Sequence, residues 1–320
     1  MRAALLESYG SPPVAGVREA PSGAGPLVSV TVAPIVPLDL FCASGSSYFG
    51  RLPLPYVPGV QGVGMLADTG TRVWFATSAG MAPGDGSLAE QCTVAADDLV
   101  PLPDRVADED AAAIGLSGVA AWMCLTWRAR LQPGERVLVL GAGGVVGQAA
   151  VAGARRLGAS SVVAVCRSAA AEARARRAGA DSVVVVAEPE TTDVAALSER
   201  FVAAGGGPVD VVVDPVFGPS ASAACLALAP GGRLVNLGGL SGDGAQLSSA
   251  VLRSRSASVL GYTNNAITPA QRAEALGEVL RMAADGDLVV DHRTHPLDDV
   301  ATAWAAAARG DGVRSLVRLR

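Results

Sequence analysis

With 320 residues, half of them apolar, the chain is long enough for two domains of ordinary size, each with its own core. Thirty acidic against 25 basic side chains leave a formal net charge of −5. No basic stripe breaks that balance, which counts against nucleic acid and anionic membrane surfaces as partners. Glu7 interrupts the N-terminal apolar run too early for a secretory signal, and no later run is expected to reach the length of a membrane span, so a cytoplasmic location is expected. Cys42, Cys92, Cys124, Cys166 and Cys225 are widely spaced with no CxxC pair, the pattern of reduced, buried thiols. The two histidines, His292 and His295, lie in a loop or edge strand with no third ligand nearby, and read as surface residues rather than a metal site.

Residues 1 to about 120 alternate short apolar runs with Pro and Gly: MRAALLES, PLVSVTVAPIV, GVQGVGMLAD, RVWFAT and LAEQCTVA. That is the pattern of a partly open barrel of mixed strands. A helical turn is expected at 38–44. From Asp108 the pattern turns helical, with acids at its start and arginines at its end, as the helix dipole favours. Gln132, Pro133, Gly134 and Glu135 break the chain and mark entry into a second domain.

The stretch RVLVLGAGGVVGQAAVAGARRLGA then reads as a strand over 136–140, a glycine-rich turn over 141–147 and a helix over 148–157. Gly141, Gly144 and Gly147 recur at three-residue spacing, with Gly143 extra and Val145 and Val146 between. A turn without side chains lets backbone N–H groups approach a pyrophosphate, and the helix adds its unpaired donors and the positive end of its dipole. Val-rich runs at 160–166, 180–187, 209–214 and 232–239 follow, separated by helix-like segments. This alternation is that of a doubly wound parallel sheet, an α/β dinucleotide-binding fold. Gly238 and Gly239, after the fifth strand, are expected against the nicotinamide, because ligands bind at the carboxyl ends of such strands. A sixth strand is expected at 256–262. Asn264, just beyond it, is a candidate substrate contact or a turn residue. Thr268 and Pro269 then open a long helix to about Ala284, and the remainder reads as strand, helix, strand returning to the N-terminal domain. The expected partition is 1–120 with 266–320, and 121–265.

Several stretches, LPLPYVPGVQGVG, RVW, GSLAEQCTV, LQPGERVLVLGAGGVVG and LALAPGGRLVNLGG, resemble the medium-chain dehydrogenase/reductase superfamily. The resemblance implies a Rossmann sheet joined to a β-rich, GroES-like domain, and a homodimer built by continuing strand pairing across a two-fold axis. Zinc-dependent members carry a Cys and a His-Glu where this chain has Val36 and Val60-Gln61, and their cysteine-rich structural lobe is missing, so no metal is expected. What remains is similar to the zinc-free branch of quinone oxidoreductases and enoyl or enone reductases. The implied reaction is reduction of a quinone or of the C=C bond of an α,β-unsaturated carbonyl, a small-molecule substrate. The alternative is a non-catalytic NADPH-binding redox sensor or structural protein of the same fold.

NAD-binding folds place a carboxylate roughly 20 positions beyond the glycine turn. Here Arg167 and Ser168 occupy that neighbourhood. A guanidinium and a hydroxyl suit a 2′-phosphate, so NADPH is the expected cofactor. The Lys and Tyr that often hold that phosphate in quinone oxidoreductases correspond to Ala171 and Val186, and Arg174, Arg176 and Arg177 read as solvated. Tyr48 stands at the distance from Pro58-Gly59 of a tyrosine found in quinone oxidoreductases, so the resemblance implies it as the catalytic and substrate-binding residue; a phenol, protonated at neutral pH, can donate to a developing enolate. Asp39 is expected to hold the backbone of the helical turn. Ala120 stands where relatives carry Thr beside the cofactor, and Ser117 is a candidate to compensate.

Overall fold

In the computed structural model, which describes residues 1–23, 25–186 and 193–320, the N-terminal third forms short strands separated by segments rich in Pro and Gly. The strands are β1 (Arg2–Leu5), β2 (Val14–Val17), β3 (Leu27–Pro34), β4 (Gln61–Leu66), β5 (Arg72–Ala76), β6 (Gln91–Thr93) and β7 (Leu99–Pro101), with helix α1 (Pro37–Ala43) after β3. β2 and β7 add to the five expected strands; each is a proline-flanked run too short for alternation to register. Helix α2 (Asp108–Met123) begins with three acidic residues in its first turn. At Gly115 it is broken, with φ 26° and ψ −127°. A Cβ there would collide with Gln61 Oε1 and lie 2.9 Å from Trp74 Nε1, so only glycine fits. A π-helical turn, Cys124–Arg128, continues α2.

The combined stretch Asp108–Arg128 corrects one expectation. Its 21 residues are long and apolar enough to cross a bilayer by composition, but 78% of its apolar window is buried inside the protein. Its apolarity is that of a core helix.

Six parallel strands follow, alternating with helices: β8 (Arg136–Val139), α3 (Val145–Arg156), β9 (Ser161–Cys166), α4 (Ala169–Arg177), β10 (Ser182–Val185), α5 (Val194–Gly205), β11 (Val209–Asp214), α6 (Gly218–Ala227), β12 (Leu228–Asn236), α7 (Ser249–Ser254) and β13 (Ser258–Gly261). Of the third expected strand, Ala187 lies outside the described residues. The spatial order is β10-β9-β8-β11-β12-β13, the doubly wound order, with its reversal between β8 and β11. Val137, Leu138, Val139, Val162, Val163, Val211, Val212 and Val213 are fully buried, as unbroken apolar strands in a parallel sheet require. Helix α8 (Pro269–Ala284) has the expected start: Thr268 accepts from the Gln271 N–H, and the Gln271 side chain reaches back to the Thr268 N–H.

The chain ends in β14 (His292–Pro296), α9 (Val300–Arg309) and β15 (Arg314–Arg318). β15 pairs antiparallel with β3 and parallel with β14, in a mixed sheet ordered β14-β15-β3-β4-β5-β7, with β6 also on β3. His292 and His295 therefore lie on an edge strand.

Contacts group the chain into two units, Met1–Gly115 with Val290–Arg320, and Leu116–Val289. These differ from the expected boundaries chiefly in α8, which stands with the nucleotide fold. Its C-terminal end is tied to α3 by Arg156, paired with Asp285 and Asp287 at 3.2 and 3.3 Å. Helix amphipathicity shows that a face is buried, not which neighbour covers it.

Candidate functional site

Two donors of the glycine turn are already bonded to backbone carbonyls. Gly141, at φ 61°, turns the chain out of β8. The Ala142 N–H donates to Val165 O at 2.9 Å, and the Gly144 N–H to Gly141 O at 3.0 Å. Helix α3 starts at Val145, three residues earlier than expected, with side-chain-free Gly144 as its cap. The first intrahelical donor is Gln148, to Gly144 O at 2.9 Å. The N–H groups of Val145, Val146 and Gly147 thus have no partner within the helix, at its positive end. Three such donors at a helix N-terminus suit an anion.

Close packing holds this arrangement. A Cβ on Gly147 would lie 2.5 Å from Ala142 Cα, and one on Gly143 would lie 2.7 Å from Ala171 Cα in the first turn of α4. Val216 presses on the turn from another side, its Cγ1 2.8 Å from where a Gly141 Cβ would stand.

Loops from the neighbouring strand ends surround the turn. After β9, Arg167 and Ser168 are exposed. Ser168 Oγ accepts from the Ala171 N–H at 3.2 Å and caps α4. Arg167 makes no hydrogen bond or ion pair among the described residues. After β11, buried Asp214 accepts from the N–H groups of Val216 (3.0 Å) and Phe217 (2.7 Å) and from Asn236 Nδ2 (3.1 Å). Burial pushes its carboxyl above the usual range against those bonds. Phe217 sits at φ 58° and ψ −153°, a strained geometry for a side-chain-bearing residue, held by that carboxylate. After β12, Asn236 Nδ2 also donates to Gly238 O at 2.7 Å. A Gly238 Cβ would lie 2.6 Å from Pro215 O, so the glycine lets the two loops touch. All four loops follow carboxyl ends of parallel strands, the edge where such sheets bind ligands.

Asn264 is engaged at both ends of its amide, accepting from Tyr262 Oη at 2.7 Å and donating to Leu116 O at 3.2 Å. These bonds tie the segment after β13 to the start of the Leu116–Val289 unit.

In the other unit Tyr48 is 77% exposed, with ring centroids 4.5 Å from Phe49 and 5.4 Å from Phe41. Asp39 is 2% exposed. One carboxylate oxygen accepts from the Val36 N–H at 2.9 Å, and the other from those of Gly59 (3.2 Å) and Val60 (3.0 Å). Burial pushes its carboxyl up to about 6, against those bonds and the charge of buried Arg314. Val36 and Val60 are themselves buried. Ser117 and Ala120 are buried in α2.

Two residues of the site were not anticipated. Arg174 is not solvated: it is 9% exposed, and its Nε donates to Gly143 O at 2.9 Å. Fully buried Gln148 donates to the same oxygen from Nε2 at 3.1 Å. Nothing local in the sequence sets Arg174 apart from Arg176 and Arg177, because the acceptor that draws it inward lies in the glycine turn, 31 residues away.

A family model described as zinc-binding dehydrogenase matches residues 145–284. A phenolphthiocerol/phthiocerol polyketide synthase polypeptide of Mycobacterium tuberculosis is 33% identical over 238 residues, 73% of this chain but 11% of that protein. Quinone oxidoreductase-like protein 2 of Mus musculus is 31% identical over 226 residues, 70% of this chain and 63% of that protein. The chain therefore spans a small part of the synthase and under two thirds of the mouse protein. The quinone oxidoreductase of Thermus thermophilus, whose crystal structures include a complex with NADPH, superposes over 100% of both chains with a TM-score of 0.81 at 28% identity.

Proposed function

We infer that this chain belongs to the medium-chain dehydrogenase/reductase superfamily, in its quinone oxidoreductase branch, and that it is a zinc-independent, NADPH-dependent reductase of quinones or of the C=C bond of α,β-unsaturated carbonyls. The observation that carries the reading is the first turn of α3, which offers three N–H donors with no partner within the helix, beside a turn in which the Ala142 and Gly144 N–H groups are already bonded. This glycine cradle fits a pyrophosphate. When bound, the nicotinamide supplies hydride to the electron-poor carbon. The chain's part is to hold and orient. Val145, Val146 and Gly147 receive the pyrophosphate through their N–H groups, Gly238 and Gly239 keep side chains away from the ring, and the unengaged Arg167 guanidinium receives the 2′-phosphate with the Ser168 hydroxyl.

A zinc ion does not fit the residues present. Val36 and Val60, where zinc-dependent relatives carry ligands, have no ligating atom, and among the described residues no three His, Cys, Asp or Glu side chains gather. Charge developing on the substrate oxygen then has to be met by hydrogen-bond donors, for which the exposed Tyr48 phenol is the candidate. β13 and β10 end the six-stranded sheet, and extension of such an edge by a second copy supports a homodimer; light scattering at the mass of one 32.0 kDa chain would remove it.

Loss of NADPH absorbance with a panel of quinones and enones tests the activity. Tight NADPH binding with silence across the panel would favour the non-catalytic reading, which the aliphatic Val36 and Ala120 motivate. Arg167→Ala is expected to weaken NADPH binding by about tenfold or more and leave NADH unchanged; equal affinities of the unmodified protein for the two cofactors would refute the assignment. Tyr48→Phe is expected to lower turnover by roughly 10²-fold, at the low end for a lost proton or hydrogen-bond donor, and full turnover would remove its catalytic role.

A further inference from the structure

We propose that Arg174 and Gln148 are positioning residues that hold the glycine turn in its dinucleotide-binding shape by clamping the Gly143 carbonyl. The inference rests on the dinucleotide reading above and extends it to two residues that do not themselves face the ligand.

The carbonyl oxygen of Gly143 receives two donors from two elements, Gln148 Nε2 on α3 at 3.1 Å and Arg174 Nε on α4 at 2.9 Å. Both lone pairs are then used. Each donor is costly to place there. Gln148 is fully buried in a helix whose other buried members are Val, Ala and Gly. Its Oε1 has no partner among the described residues, so the bond to Gly143 is what orients the amide; the reverse orientation would set two acceptors against each other. Arg174 carries a charge into the packed face of α4, where an aliphatic side chain of the same length would sit without desolvating a guanidinium.

The clamp acts on one peptide unit. The Gly143–Gly144 peptide has its carbonyl pinned by the two side chains and its N–H by Gly141 O at 3.0 Å. Two adjacent glycines are otherwise the most freely rotating pair a chain can contain. Tied at both ends, this peptide cannot flip, and its carbonyl dipole stays turned away from the donors of Val145, Val146 and Gly147. An anion then meets a turn already in its bound shape, with no ordering left to do. The guanidinium also places a positive charge behind the turn.

What is held is the pyrophosphate cradle, common to NADPH and NADH. Arg174→Met and Gln148→Leu remove the donors while keeping most of the bulk. Each variant, and Arg167→Ala beside them, is titrated with NADPH, NADH and adenosine 2′-monophosphate, which has the 2′-phosphate but no pyrophosphate. Each clamp variant is expected to lose about tenfold in affinity for both dinucleotides alike and to bind the monophosphate as before. Arg167→Ala is expected to do the reverse, weakening NADPH and the monophosphate and sparing NADH. Dinucleotide affinities within twofold of the unmodified protein in either clamp variant would overturn the proposal. So would a parallel loss for all three ligands, the signature of general damage to α4 or α3. Should Arg174→Met fail to fold, Gln148→Leu alone decides. If the unmodified protein binds neither dinucleotide, it is the reading of the site that fails, and that result is distinct from both.

Discussion

Alanine at Gly147 is expected to lower affinity for the dinucleotide by about a hundredfold, the scale of loss from an ångström-sized displacement of binding groups. The added Cβ would lie 2.5 Å from Ala142 Cα and 2.9 Å from Ala142 C, with Gly141 O nearer still. All are backbone atoms, and none can rotate away. Helix α3 must lift from the turn, and the N–H groups of Val145, Val146 and Gly147 move with it. Stability falls by roughly 1–3 kcal/mol, the usual cost of overpacking. Gly144→Ala is the informative contrast. Its Cβ would meet only Gly141 O, at 3.4 Å, and φ at Gly144 is −80°, so the variant should unfold in urea as the unmodified protein does. Any loss of dinucleotide affinity in it then reports close approach of the ligand and not internal packing. Fluorescence titration of both variants is the measurement, and unchanged affinity in Gly147→Ala would move the anion site away from α3.

Asp39→Ala is expected to cost roughly 3–5 kcal/mol of stability, because three buried N–H donors lose their acceptor together and buried Arg314 loses a counter-charge. The midpoint of urea unfolding reads it. Asp39→Asn keeps an acceptor without the charge and should fall between the two. The pH dependence carries a definite sign. Burial raises the Asp39 carboxyl from 3.8 to about 6, so the folded state binds this proton more tightly than the unfolded chain does. The group's contribution is full below about pH 4 and is lost as the pH rises through about 6. The unmodified protein should therefore lose stability relative to Asp39→Asn between those values and run parallel to it above them. A flat difference over that window would show that Asp39 does not titrate there.

Much of the molecule was legible as sequence because its signals are local. The Val-rich runs of β8, β9 and β11 need only two covered faces, and the Thr268-Pro269 start of α8 is written in four residues. The glycine turn announces a backbone that something must approach. Asp39 as the brace of α1 followed from its place in V-P-L-D, although the sequence held no sign of the donors from Gly59 and Val60, twenty residues away. Tertiary structure alone decided the rest. It set the start of α3 at Val145, and with it the identity of the three donors. It assigned α8 to α3, and turned one arginine of a run of three inward onto Gly143 while Arg176 paired with Glu172 on the same helix. The physical reason is common to these cases. Periodicity and capping describe what a segment does to itself, whereas a buried cation, a shared acceptor or a helix seat depends on which distant backbone atom arrives opposite it, and that is settled only when the sheet and its helices close around one core.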